Sequence, residues 1–79
     1  MIDLPPMGPP RKRSVTIGGH ATSVSLEDAF WDGLRTLARR HGLTPAQAVA
    51  EIDRGRPPEV GLATAVRLTV LAEAVVRGS

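Results

Sequence analysis

Cysteine is absent from the 79 residues, so neither a disulfide nor a thiolate metal site can brace the fold. His20 and His41 are the only imidazoles, too few for a structural zinc site, and neither a metal nor another cofactor is expected. Tyrosine is also missing, and Phe30 and Trp31 are the only aromatic residues. A single Trp makes no stacking platform for unpaired bases, so this pair reads as core and core edge. No apolar run is long enough to cross a bilayer, and Asp3 with four prolines stands where a secretory signal needs a basic start and an apolar stretch. The expectation is a soluble, cytoplasmic protein without a membrane partner.

What is present is unevenly spread. Pro5, Pro6, Pro9 and Pro10 fall within the first ten residues, ahead of Arg11, Lys12 and Arg13. Residues 1–13 therefore read as a disordered, basic, proline-rich arm and residues 14–79 as the domain. In residues 21–79 seven Arg balance seven Asp and Glu, so the net charge of +2 belongs to the first twenty residues. A polyanion would meet its attraction there or in a local patch. A domain of roughly 60 residues with so few aromatics sits near the lower size limit for one core, and without disulfide or metal the remaining brace is a second copy of itself.

Ser14 to Leu26 is rich in β-branched residues around Gly18-Gly19. Val15 and Ile17 have one parity and Thr22, Val24 and Leu26 the other, so an unbroken strand would put its apolar side chains on opposite faces. The glycines can form a hairpin turn, a bulge or a hinge. The favoured reading is a short strand from Thr22 to Ser25, with the earlier piece either hairpinned onto it or loose. A helix then starts near Leu26, with Ser25 as N-cap and Asp28 three residues on. It carries Leu26, Phe30, Leu34, Leu37, Ala38 and His41 on one face and ends at Arg39-Arg40-His41 and Gly42. Thr44-Pro45-Ala46-Gln47 opens a second helix, with Thr44 as cap, Pro at the first position and Gln at the third. Ala48, Val49 and Ile52 are its apolar side, and Gly55 with Pro57-Pro58 stops it. A third helix, about Leu62 to Arg77, is charged only at Arg67, Glu73 and Arg77, which predicts burial on more than one side, here across a dimer. The fold class is mainly α with a short β-strand or hairpin.

This order of strand, capped helix, Gly turn and Thr-capped helix resembles the ribbon-helix-helix family, the Arc-repressor-like class. The run Gly19-His20-Ala21-Thr22-Ser23-Val24-Ser25-Leu26-Glu27, with Phe30-Trp31 and Ala50-Glu51-Ile52-Asp53, is similar to a small bacterial subgroup with a third C-terminal helix, over about Arg13 to Arg77. The resemblance implies a βαα fold plus that helix, in an intertwined homodimer whose two strands form an antiparallel ribbon. It implies a dimeric DNA-binding transcriptional regulator that sets the ribbon's outer side chains in the major groove and holds a phosphate at the second helix N-terminus. By position, Ala21, Ser23 and Ser25 would face the groove and Thr44 the phosphate, although Pro45 removes one amide donor there. Val24, Leu26, Phe30, Leu34, Leu37, Val49 and Ile52 would form the dimer core.

The chain departs from the family where long polar side chains usually reach base edges. Ala21 reaches nothing, and Ser23 and Ser25 can donate to or accept from several bases. Affinity would then rest on Arg11, Lys12 and Arg13 at phosphates or in an adjacent groove. Nothing argues for an enzyme: Ser23 has no His or Asp arrangement around it, and Gly18-Gly19 lacks the frame and Lys of a phosphate loop. A ribbon-helix-helix dimer serving as a protein-interaction module, with a partner on the apolar third helix, and an antitoxin-like protein are the competing readings.

Overall fold

The parity conflict between Val15-Ile17 and Thr22-Val24-Leu26 is resolved by a hairpin. In the computed structural model, which describes residues 1–78, β1 (Arg11–Ile17) and β2 (His20–Leu26) run antiparallel on either side of Gly18-Gly19. The two glycines hold φ of 57° and 81°, the left-handed pair that a type I′ turn requires and that a Cβ opposes. With two residues in the turn, Ile17 lies opposite His20, Val15 opposite Thr22, Arg13 opposite Val24 and Arg11 opposite Leu26. Directly opposed residues share a face. The odd positions of β1 and the even positions of β2 therefore meet on one side.

Two expectations change here. β2 is longer than Thr22 to Ser25, and Arg11 to Arg13, assigned to the arm, are the first three residues of β1. Proline spacing marks where the chain cannot pair, but it does not show that Arg11 has Leu26 to pair with.

α1 (Asp28–Arg40) starts later than expected. Ser25 is still in β2, and Glu27 is the extended N-cap residue, with no side-chain bond to the helix. Leu26 is fully buried on the inner face of the hairpin, and keeping it there holds the backbone extended through Ser25. The C-terminus matches the reading: Gly42 takes φ 69° and Leu43 N–H donates back to Ala38 O at 2.8 Å. α2 (Pro45–Gly55) has a complete capping box, Gln47 N–H to Thr44 Oγ1 at 3.1 Å and Thr44 N–H to Gln47 Oε1 at 2.8 Å. α3 (Leu62–Gly78) follows a turn that Arg56 fastens by donating to Asp53 at 2.8 Å and to Val60 O at 2.7 Å.

Beneath the hairpin, α2 lies against β1 and α3 against β2, while α1 packs on both helices. Val15, Val24, Leu26, Leu34, Leu37, Val49, Val66 and Val70 form the centre of the core, with Phe30 and Ile52 half-buried at its edge. Of the residues expected at a dimer core, Val24, Leu26, Leu34, Leu37 and Val49 are already buried within one chain, where α3 supplies Val66 and Val70 as the lid, while Phe30 and Ile52 stay partly exposed. α1 and α3 come close at Gly33, where a Cβ would lie 2.5 Å from Val70 Cγ1. Within the single chain α3 is buried on one side, and Leu68, Leu71 and Val76 are each more than half exposed.

Candidate nucleic-acid interface

The hairpin register sorts the basic and hydroxyl side chains onto two faces. Lys12, Ser14 and Thr16 of β1 lie opposite Ser25, Ser23 and Ala21 of β2, and all six are exposed. Ala21, Ser23 and Ser25 therefore stand on the outward face, as their alternation required. Lys12, Ser14 and Thr16 join them there. Sequence reasoning missed Ser14 and Thr16 because their face is fixed only once the glycines are known to be a two-residue turn; the Gly-Gly pair itself was the available signal. No Asp or Glu occurs between Asp3 and Glu27, so the whole hairpin is free of carboxylates.

Alternation also splits the Arg11-Lys12-Arg13 cluster. Lys12 points outward, whereas Arg11 and Arg13 fall on the inward parity at the open end of the hairpin. Arg13 is largely covered, with 17% of its side chain exposed, and pairs with Asp28. Its guanidinium carbon lies 5.5 Å from the centre of the Trp31 ring, a cation–π contact. Arg11 is more open and stands 3.6 Å from the same carboxylate. Asp28 thus sets one negative charge against two arginines; Arg13 is covered, while Arg11, 68% exposed, stays open to solvent along with the outward Lys12.

Ser25, released from capping, has its carbonyl bonded by Arg67 Nη2 at 3.3 Å. Arg67 also donates through Nε to Glu27 at 2.9 Å and lies 5.9 Å from the Phe30 ring. Its hydrogen bond holds the Glu27 carboxyl below the usual carboxylate range, with a backbone hydrogen bond adding to the effect. One α3 residue thereby ties down the end of β2 and the start of α1.

At Thr44 the capping box takes most of what a phosphate would use. Pro45 has no N–H, Gln47 N–H is spent on Thr44 Oγ1 and Ala48 N–H on Thr44 O, which leaves the amide of Ala46. His20 is exposed beside the turn, and His41, expected as a helix-end cation, has Nε2 3.1 Å from Glu73 Oε1. Among the described residues no group of three or more His, Asp or Glu can hold a metal ion, and no helix is long and apolar enough to cross a membrane.

The outward face can therefore attract phosphates through Lys12 and hydrogen-bond to a polar edge through four hydroxyls, with little power to discriminate. A protein family described as ribbon-helix-helix domain matches residues 10–74. Among solved structures, the chain is similar to an uncharacterized protein from Bordetella pertussis Tohama I. The TM-score is 0.69 at 29% identity, covering 87% of this chain and 58% of the other. No curated protein matches.

Proposed function

The chain belongs to the ribbon-helix-helix domain family, and on that premise we propose that it is a homodimeric, DNA-binding transcriptional regulator that lays the outward face of its strands in the major groove. The observation that carries this reading is the exposed Lys12, Ser14, Thr16, Ala21, Ser23, Ser25 surface on a hairpin without a single carboxylate.

The hairpin also favours a particular pairing of two copies. Ile17 and His20 flank the turn and form a hydrogen-bonded pair, so bonded pairs alternate outward from there. The N–H and C=O groups of Ala21, Ser23 and Ser25 consequently point off the free edge of β2, in keeping with the bond from Arg67 to Ser25 O. A second copy's β2, antiparallel and centred on Ser23, would fill that edge, with Arg67 giving up Ser25 O while keeping Glu27. The two β2 strands then make the central ribbon. With strands about 4.8 Å apart and a groove roughly 12 Å wide, the central pair enters and the flanking β1 strands lie over its walls, where Lys12 meets phosphates. The amide of Ala46 beside Thr44 is a further phosphate donor.

Fluorescence anisotropy of a labelled duplex across a salt series tests this. Binding should weaken with salt, and Lys12→Ala should flatten the plot of log K against log salt by about 0.9 per chain. Ser23→Pro, which removes an N–H that the hairpin does not use, should halve the mass of the dimer and weaken binding. Absent binding at low salt, or binding indifferent to salt, refutes the proposal.

A further inference from the structure

At the open end of the hairpin one carboxylate oxygen serves two arginines. Arg13 donates from Nη2 to Asp28 Oδ1, and Arg11 Nη1 lies 3.6 Å from that same oxygen. Asp28 thus meets Arg13 through a single nitrogen, where a guanidinium and a carboxylate pair best through two parallel bonds. The other contacts of Arg13 are thin. Nη2 stands 3.5 Å from Leu26 O, at the limit of a hydrogen bond. Nε is the one buried side-chain nitrogen or oxygen among the described residues that has no partner.

Structural roles cover only half of this. Asp28 lies in the first turn of α1, where a negative charge suits the helix dipole, and Arg13 stands over the Trp31 ring. Neither role asks that a guanidinium be folded inward with a donor left unsatisfied, which costs free energy. An anion with two free oxygens would satisfy Nε and Nη2 together, and a DNA phosphate is such an anion. We propose that Asp28 is a latch on DNA affinity, which presupposes the duplex binding proposed above. It holds Arg13 against Trp31 in the free protein, and a backbone phosphate draws Arg13 off both when the strands enter the groove.

The exchange swaps one anion for another, at a place where phosphates run. Arg13 lies on β1, the strand set over the groove walls in the two-copy ribbon. A turn of its side chain away from Trp31 therefore carries it toward the DNA backbone and not toward the bases. Asp28 is 67% exposed, and an ion pair so open to water is weak enough to be traded. The trade leaves Asp28 with Arg11 beside it. The neighbouring carboxylates are engaged elsewhere: Glu27 is bonded by Arg67, and Asp32, one turn along α1, faces Arg35 at 4.0 Å. Affinity is thus set below what the cations of the hairpin allow, by one residue outside the strands.

Anisotropy of a labelled duplex with the full chain, read across a salt series, separates the outcomes. Asp28→Asn should bind at least several-fold tighter than the parent, whereas Asp32→Asn, which removes the same charge one turn away, should change affinity far less. Arg13→Gln should flatten the plot of log K against log salt by about 0.9 per chain. Arg13→Lys, a point charge without the guanidinium fork, should restore that slope. Loss of a merely structural arginine would lower the melting temperature and leave the slope alone. Trp31 is the single Trp, so its emission reports on Arg13. Duplex should change that emission in the parent with the same midpoint as the anisotropy, and free Asp28→Asn should already be shifted the same way. Asp28→Asn no tighter than Asp32→Asn, or a Trp31 signal that ignores bound duplex, overturns the latch and leaves DNA binding standing. Absence of binding in every one of these chains overturns the DNA-binding function itself, and the latch with it.

Discussion

The hairpin and α3 both press one side against the core, yet the sides they leave in solvent are chemically different. β2 alternates Val24 and Leu26 inward with Ser23 and Ser25 outward. α3 places Val66 and Val70 inward but has Leu68 and Leu71 outward. A strand that alternates cleanly is finished on both faces once one of them is packed, and its polar face suits water or a polyanion. A helix that is apolar most of the way round keeps a face for which one chain has no cover. Exposure alone does not tell these surfaces apart; the side chains on them do.

The sharpest way to break this comparison is to make the same truncation in both regions. Leu26 is fully buried and Leu71 is 55% exposed. Leu26→Ala should cost about 2–5 kcal/mol through lost burial and a cavity. Leu71→Ala, measured by urea unfolding in dilute solution, should stay within about 0.5 kcal/mol of the parent. Similar losses at the two positions would mean that the outward stripe is part of the single-chain fold.

A smaller effect is expected where α3 meets α1. Gly33→Ala gains helix propensity, about 1 kcal/mol, but drives a Cβ to within 2.5 Å of Val70 Cγ1. Val70 is buried and β-branched, so it cannot turn aside cheaply. Overpacking of this kind costs about 1–3 kcal/mol, leaving a net loss of about 1 kcal/mol by the same reckoning. Val70→Ala in the same chain should remove the clash, and the double variant should be more stable than Val70→Ala alone. Failure of that rescue would show that the two helices do not approach at this point.

The split between what the sequence revealed and what it concealed follows the range of the interactions. The second helix was legible to the residue, because Thr44, Pro45 and Gln47 act within one turn of one another. Gly42 likewise announced the end of α1 through its own backbone. Ser25 misled as a cap because the competing demand, burial of Leu26 beneath the hairpin, comes from residues distant along the chain. Arg11 and Arg13 misled for the same reason: their contacts with Asp28 and Trp31 cross the open end of the hairpin. The outward face was half legible, since alternation places Ala21, Ser23 and Ser25 together, but adding Ser14 and Thr16 required the register across Gly18-Gly19.

The mildest test acts on the joint between the two regions. Glu27 follows β2 directly and Arg67 lies in the first half of α3, and their bond of 2.9 Å ties one to the other. Because the folded state holds this carboxyl below its ordinary value of 4.5, folding favours its ionised form. The contribution is therefore complete above the ordinary value and is lost as pH falls through the depressed one. Both side chains remain about 30% exposed, so solvent and salt screen the pair and the effect is small. The melting temperature of the parent should exceed that of Glu27→Gln by a small margin at neutral pH, and the two should converge as the solution is acidified below that window. Added salt should narrow the gap at neutral pH. A gap that is the same at every pH would mean that Glu27 acts through its shape and not its charge, and that the hairpin and α3 are held together by burial of Leu26, Val66 and Val70 without help from the ion pair.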